Sequence, residues 1–306
     1  MNLRDLKYLI AVAEKRHFGQ AAEACHVSQP TLSGQIRKLE EYLGVTLFER
    51  TNRSVVITPI GEELLRYARV VVEQAEAMET VARTYRDPTA GPVRLGAIPT
   101  LSPYLMPLIL RPLKTRYPRL RLVLTEEITD SLTRRLLEHE IDAALLATTP
   151  TAPELEARPL FDEPFWLAIP RAHPLYHAME ISADDLTTLD LLLLADGHCL
   201  TDQVLDLCRT IGSPRDGEMG DLRAASLETL LQLVGAGFGS TLVPALAIRG
   251  AWMTDTGVVA RPLDLPEARR RISLVYRRSF PRRPLLDALA EVILEHLPNT
   301  VKPVKG

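Results

Sequence analysis

Cysteine is scarce in this 306-residue chain, with only Cys25, Cys199 and Cys208. No basic, apolar and small-residue secretion signal opens it. Together these features exclude a disulfide-stapled scaffold and lead to the expectation of a reducing cytoplasm, where any disulfide is transient. A membrane span is missing too. The one long uncharged run, residues 229–248, is interrupted by Gly235, Gly237, Gly239 and Pro244 and contains Gln232, Ser240 and Thr241. It reads as a buried helix, a glycine turn and a strand. There is no basic excess either: 36 Lys and Arg against 39 Asp and Glu leave a net charge of −3. Any surface for a polyanion must therefore be local, and residues 1–58, with 8 basic and 6 acidic side chains, carry +2. Hydrophobic residues make up 46% of the chain, core material for two or three domains.

What the chain does contain is a pair of short amphipathic segments. Phe18, Ala21, Ala22 and Cys25 repeat at helical spacing, as do Leu32, Ile36, Leu39 and Leu43. Ser28 supplies a capping hydroxyl and Pro30 suits a first turn, where its missing N–H costs little, so the second helix is predicted to start near Ser28. Gln29, Ser33 and Arg37 then form a polar ridge away from the apolar face, with Ser28, Pro30 and Thr31 at its N-terminal end. Such a ridge meets base edges in a major groove while the preceding helix crosses the backbone. Leu3, Leu6, Ile10 and Ala13 predict a supporting helix ahead of the pair. Behind it, Val55-Val56-Ile57 after the turn Thr51-Asn52-Arg53 predicts a wing whose Arg50 and Arg53 contact phosphates. An ordinary helical bundle with solvated Gln, Ser and Arg side chains is the plainer alternative. The joint occurrence of turn, cap and wing favours a winged helix-turn-helix DNA-binding domain over residues 1–58, and a regulator over an enzyme.

From Gly61 onward, Leu64, Ala68, Val71, Ala75, Met78 and Ala82 alternate four and three apart, the spacing of a coiled-coil seam. One helix cannot bury such a seam in water. Residues 59–90 are therefore expected to form a linker helix that pairs two chains into a homodimer and sets two recognition helices on one duplex. Packing against its own chain is the competing outcome. Asp87-Pro88-Thr89-Ala90-Gly91-Pro92 ends the helix. Over residues 91–306, strands and helices alternate: strands at 93–98, 120–126 and 141–146, helices at 105–117 and 131–140, which predicts a parallel α/β sheet. Further strands are predicted at 165–169, 191–194, 240–243 and 271–276, and a last helix at 284–297. Breaks at Asp162-Glu163-Pro164 and Asp264-Leu265-Pro266 suggest two lobes, about 91–161 with 268–306 and about 162–267. Ligands of such folds bind beyond the carboxyl ends of strands.

Winged helix-turn-helix, linker helix and two-lobed sensor together resemble a LysR-type transcriptional regulator over essentially the whole chain. Ser28-Gln29-Pro30-Thr31-Leu32-Ser33 and Leu47-Phe48-Glu49-Arg50 match the wider family, and Asp196-Gly197-His198-Cys199 is similar to its peroxide-sensing OxyR branch. The resemblance implies an α/β multidomain protein with a periplasmic-binding-protein-like sensor. As partners it implies double-stranded promoter DNA, hydrogen peroxide, RNA polymerase and a homotetramer of its own dimers. It implies no cofactor, no metal and no membrane. It also places Thr100, Thr129, His198, Asp202 and Arg270 in a peroxide pocket, with Arg270 as a fixed positive charge. Many relatives carry arginine after the Cys-Leu pair, whereas this chain has Thr201.

Cys199 and Cys208 lie nine residues apart. On one continuous helix they stand about 13 Å apart along the axis and half a turn around it. A disulfide requires Cα atoms within about 7 Å. Bonding them therefore unwinds or remodels the segment. Cys199, past a strand end and at a helix N-terminus beside His198, is expected to be the thiolate that attacks a peroxide O–O bond and becomes a sulfenic acid. Thr100 and Thr129, from carboxyl ends of the sheet, are expected to orient the peroxide. Cys208, on an apolar stripe with Val204 and Leu207, is the expected resolving partner. Each residue has a plainer role. The cysteines can simply fill a core, as expected for Cys25. Thr100 and Thr129 can be helix caps, and Arg270 can solvate a strand edge beside Arg269 and Arg271. His198, Cys199 and Cys208 can bind a metal, although no Cys-x-x-Cys or nearby histidine pair completes a site. Two other functions compete: a LysR-type regulator answering a small organic effector in the interlobe cleft, and a thiol peroxidase with a DNA-binding appendage.

Overall fold

The computed structural model describes residues 1–50, 55–84, 89–211, 223–249, 257–263 and 265–304. Thr51, Asn52, Arg53, Asp87, Pro88 and Asp264, which figure in the expectations above, lie outside the described residues. The chain forms two compact units, Met1–Pro88 and Thr89–Gly306.

The first unit opens with α1 (Leu3–Lys15), α2 (Phe18–Ala24) and α3 (Gln29–Leu43). The antiparallel pair β1 (Phe48–Arg50) and β2 (Val55–Ile57) and the long α4 (Pro59–Thr84) follow. Asn2 caps α1 through a reciprocal pair with Asp5, satisfying N–H groups that a helix start leaves free. Ser28 caps α3 by accepting from the Thr31 N–H, and Pro30 occupies its first turn. The apolar faces of α2 and α3 meet as predicted, through Phe18, Ala21, Ala22, Leu32, Ile36 and Leu39. The supporting helix departs from the prediction: α1 buries Leu6, Leu9 and Val12, while Leu3 is 43% exposed and Ile10 only half-buried. The 3.6-residue period selects the row through Leu9, one residue from Ile10. Cys25 sits half-buried at the C-cap of α2, not in the core centre.

Helix α4 splits its seam. Ala68 is buried with Val72 in the core of this unit, and Lys7–Glu76 and Arg69–Glu14 pairs link α4 to α1 at 3.1 and 3.7 Å. Val71 and Met78, two of the predicted seam positions, are 45% and 75% exposed. The helix thus packs on its own chain along one row and leaves an apolar row open beside it.

The second unit starts with β3 (Gly91–Ala97), α5 (Ser102–Arg116), β4 (Leu120–Glu126), α6 (Thr129–Leu137) and β5 (Ala143–Leu146). Next come β6 (Leu155–Pro170), α7 (Ala183–Thr187), β7 (Leu193–Leu194) and α8 (Cys199–Thr210). It closes with β8 (Arg223–Ala224), α9 (Leu227–Gly235), β9 (Thr241–Pro244), β10 (Val258–Pro262), β11 (Arg269–Arg277), α10 (Arg283–Glu295) and β12 (Lys302–Pro303). Among the described residues the predicted parallel arrangement holds for β4–β3–β5, the short β7–β8 pair and a single bridge between Leu191 and Ser240; β6, β9, β10, β11 and β12 pair antiparallel. In the sheet order β10–β6–β11–β5–β3–β4 the long strands β6 and β11 lie side by side and run antiparallel, while the β4–β3–β5 end, whose strands are joined by the crossover helices α5 and α6, keeps the parallel pattern.

Asp162-Glu163-Pro164 is not a break. β6 runs straight through it for 16 residues, pairing with β11 over Leu155–Pro164 and with β9 and β10 over Phe165–Pro170. One strand therefore serves both lobes: a first around β3, β4, β5 and β11, and a second around β9 and β10. Phe161 and Phe165, on either side of the passage, are fully buried. Gly96 in β3 lets α6 lie close, since a Cβ there meets Leu132 Cδ2 at 2.6 Å and Ile141 Cδ1 at 2.9 Å. Gly96→Ala should therefore lower stability to urea by about 1–3 kcal/mol through overpacking. An unchanged midpoint would show that α6 yields freely.

Candidate functional site

The polar centre of the second unit is built on the strand pair that joins its lobes. Arg270 of β11 and Glu163 of β6 stand directly opposite in register. Strand alternation turns Arg269 and Arg271 outward and Arg270 inward, where it is 3% exposed. Its Nε donates to Glu163 Oε2 at 2.9 Å, and both side chains are fully buried. The other guanidinium nitrogens donate to Thr100, one to its hydroxyl at 2.8 Å and one to its carbonyl at 2.9 Å. Glu163 uses its second oxygen to accept the Leu246 N–H at 2.8 Å, just past β9. One buried ion pair thus ties the turn after β3, the shared strand and the segment after β9. Arg270 is no solvated edge residue.

Thr100 and Thr129 are not helix caps. Leu101 and Ile128 hold the N-cap positions of α5 and α6, and neither caps through its side chain. The Thr129 hydroxyl is buried without a hydrogen bond of full geometry, yet lies close enough to the Cys199 thiol to favour its ionised form. Cys199 is the first residue of α8, with His198 as N-cap, and it is 7% exposed. Gly197 precedes them with φ 91°, a left-handed turn, and a Cβ there meets Ile128 Cδ1 at 3.1 Å. The thiol-bearing turn is therefore packed against the start of α6.

Burial pushes the Cys199 thiol upward in pKa; the charge of Arg270 and the Thr129 hydroxyl offset this only in part, and Asp202 adds to the rise. Activation was expected from the helix terminus and His198. Desolvation by burial is the largest influence on this thiol and works against that activation, and His198 beside it is half-buried. Asp202 is exposed, and the buried Thr201 hydroxyl donates to the Leu194 carbonyl at 3.1 Å. Cys208 is also 7% exposed, its pKa raised by burial alone. Both cysteines belong to the single continuous helix α8 and both are free thiols. Thr100, Thr129, Cys199 and Arg270 thus come together, His198 borders them, and Asp202 stays at the surface. No group of three His, Cys, Asp or Glu among the described residues forms a metal cluster.

In the first unit, Ser28, Gln29, Pro30, Thr31 and Arg37 are exposed on α3 and Ser33 is half-buried. The Ser28 hydroxyl pairs with that of Thr31 at 2.7 Å, so Gln29 and Arg37 carry the open polar ridge. Arg50 ends β1, and Arg53 lies outside the described residues.

Sequence reading missed Glu163, Gln203 and the Tyr104–Glu228 pair. Gln203 of α8 donates to the Ala147 carbonyl and Tyr104 of α5 to Glu228 of α9, each at 2.8 Å. A signal existed only for Glu163: acidic Asp162-Glu163 and basic Arg269-Arg270-Arg271 have matching strand alternation, but their register is set by the fold.

Comparison with known families finds the bacterial regulatory helix-turn-helix domain of the LysR family at residues 3–62 and the LysR substrate-binding domain at residues 86–298. The chain is 45% identical over 293 residues to the DNA-binding transcriptional dual regulator OxyR of Escherichia coli K12, covering 96% of this chain and 95% of that protein. A full-length OxyR variant from Pseudomonas aeruginosa is similar in structure, with a TM-score of 0.85, 34% identity, and coverage of 100% of this chain and 98% of the other. A mutant OxyR of Corynebacterium glutamicum with H2O2 bound matches with a TM-score of 0.66 and 38% identity, over 96% and 92% of the two chains.

Two outcomes test this geometry. Glu163→Leu leaves Arg270 buried without its counter-charge and should cost about 3–5 kcal/mol in urea unfolding. A loss below about 1 kcal/mol would mean that water reaches the pair. With Cys25 and Cys208 replaced by serine, alkylation of Cys199 should climb about tenfold per pH unit from neutrality upward, because a raised pKa keeps thiolate scarce. A plateau below pH 7 would contradict the direction assigned to that thiol.

Proposed function

The chain belongs to the LysR family of bacterial transcription regulators, and from that premise we propose a DNA-binding regulator that senses hydrogen peroxide through Cys199 and Cys208. The observation that carries this reading is the placement of both thiols in α8, with Cys199 against Arg270 and Thr129. At rest, burial keeps Cys199 protonated. Arg270 and Thr129 offset part of the cost of the thiolate, which attacks the peroxide O–O bond. One oxygen stays on sulfur as a sulfenic acid and the other leaves as water after taking the thiol proton. The fixed guanidinium and the threonine hydroxyls of positions 100 and 129 stabilise the departing oxygen.

Cys208 completes the cycle by displacing the sulfenic hydroxyl as water and forming an S–S bond. Helical rise holds the two residues about 13 Å apart, and the bond requires less than about 7 Å between Cα atoms. Oxidation therefore unwinds α8, and the repacked sensor changes the spacing of the DNA-reading units. In each of those units α3 enters a major groove with Gln29, Ser33 and Arg37 toward base edges, while Arg50 and Arg53 of the wing meet phosphates. The open row through Val71 and Met78 on α4 is the seam for a second chain, and two such dimers form a homotetramer beside RNA polymerase at the promoter. Residues 1–58, 59–90 and 91–306 divide the roles of DNA reader, dimerising linker and sensor. No catalytic turnover is involved, and a reducing cytoplasm resets the thiols.

Footprinting on promoter DNA tests the reading. Stoichiometric peroxide should change the footprint of the parent protein, while Cys199→Ser and Cys208→Ser keep the reduced pattern. Peroxide consumption should stop near about one equivalent per subunit when no reductant is supplied. Equal footprint responses in all three proteins would overturn the cysteine assignment, and sustained turnover with a thiol reductant would favour a peroxidase.

A further inference from the structure

One side chain between the two cysteines reaches out of its own helix. Gln203 follows Cys199 by four residues, which sets both on one face of α8. Its Nε2 donates to the Ala147 carbonyl at 2.8 Å, one residue past β5 in the first lobe. Its Oε1 is buried and meets no donor among the described residues, so a single polar bond holds the amide. A second hydrogen bond of equal length also crosses between the lobes, from Tyr104 in α5 to Glu228 in α9, but it lies outside the Cys199–Cys208 interval.

We propose that Gln203 is a positioning residue that sets the threshold of the switch: its bond to Ala147 pins α8 in the helical thiol state. The inference rests on the peroxide-sensing reading above. That chemistry has two steps. In the first, the O–O bond of H2O2 breaks as the Cys199 sulfur takes one oxygen and water departs with the other. In the second, the Cys208 sulfur attacks, the S–O bond breaks, the S–S bond forms and a second water departs. Only the second step needs α8 to unwind. Gln203 is aimed at Ala147 by its helical phase, so loss of helix between the cysteines removes that aim. The bond then counts as a cost of closure and as no part of the encounter with peroxide. The Tyr104–Glu228 bond, with no residue in the interval, carries no such cost.

The full-length protein can be followed through both steps by trapping sulfenic acid with dimedone and by counting disulfides after rapid quenching. Gln203→Met, close in volume but without the donor, should close the disulfide about 2- to 10-fold faster than the parent, the range expected from one neutral hydrogen bond. The thiol–disulfide equilibrium in glutathione buffer should move toward the disulfide by the same factor, with sulfenic acid formation unchanged. Gln203→Lys, which restores a donor on a long side chain, should return closure toward the parent rate, and Tyr104→Phe should leave it unchanged. Parent-like closure in Gln203→Met would overturn the inference. So would slower sulfenic acid formation, which makes Gln203 part of the pocket, or equal acceleration in Tyr104→Phe, which means general loosening between the lobes. If the parent itself forms no Cys199–Cys208 bond, the sensing reading fails and this inference fails with it.

Discussion

An α-helix advances about 1.5 Å and turns 100° per residue, whereas a disulfide tolerates about 7 Å between Cα atoms. Helix α8 contains Cys199 at its first residue and Cys208 two residues before its end, both buried. Side-chain rotation cannot bridge the remaining gap, because the sulfurs leave opposite sides of the helix. The thiol state and the bonded state are therefore alternative packings of one segment, separated by the helical hydrogen bonds and by the burial of Leu200, Val204 and Leu207. A covalent bond with a large free energy of formation can select between two such packings where a weak ligand cannot.

The switch needs a part that does not move. Arg270, Glu163 and Thr100 supply it, since two of them sit on paired strands of the central sheet and the third is held by both a side-chain and a main-chain hydrogen bond. A buried ion pair is weak evidence for stability in itself, but this one fixes a positive charge beside the thiol without a mobile side chain. The fixed charge is thus assigned to the strands, while the reacting thiol and the response both belong to the helix. Thr201 belongs to the response side: its hydroxyl anchors the start of α8 to β7 through the Leu194 carbonyl and leaves the thiol to Arg270 and Thr129.

Much of this was legible before any coordinates. Ser28, Pro30 and the apolar rows of α2 and α3 act through local rules, so the reading helix and its cap followed from spacing and side-chain chemistry. The strands of the β4–β3–β5 layer, separated by helices, were legible for the same reason. Where the outcome turned on register, the reading failed. Pro164 in Asp162-Glu163-Pro164 suggested a break, but an edge of pairing can accept proline where one partner strand hands over to another. The antiparallel half of the sheet depends on pairings between strands far apart in sequence, and the opposition of Glu163 and Arg270 spans 107 residues. A helix terminus is visible in sequence and desolvation is not, so the burial that raises the Cys199 pKa could not be weighed from spacing alone.

Amide hydrogen exchange across residues 199–210, compared between the fully reduced protein and the protein carrying the Cys199–Cys208 disulfide, tests the central claim most directly. The account predicts that oxidation strips protection from this segment while β3 and β11, which hold Arg270 and its partners, keep theirs. A bonded protein in which residues 199–210 retain the protection of the thiol state would contradict it.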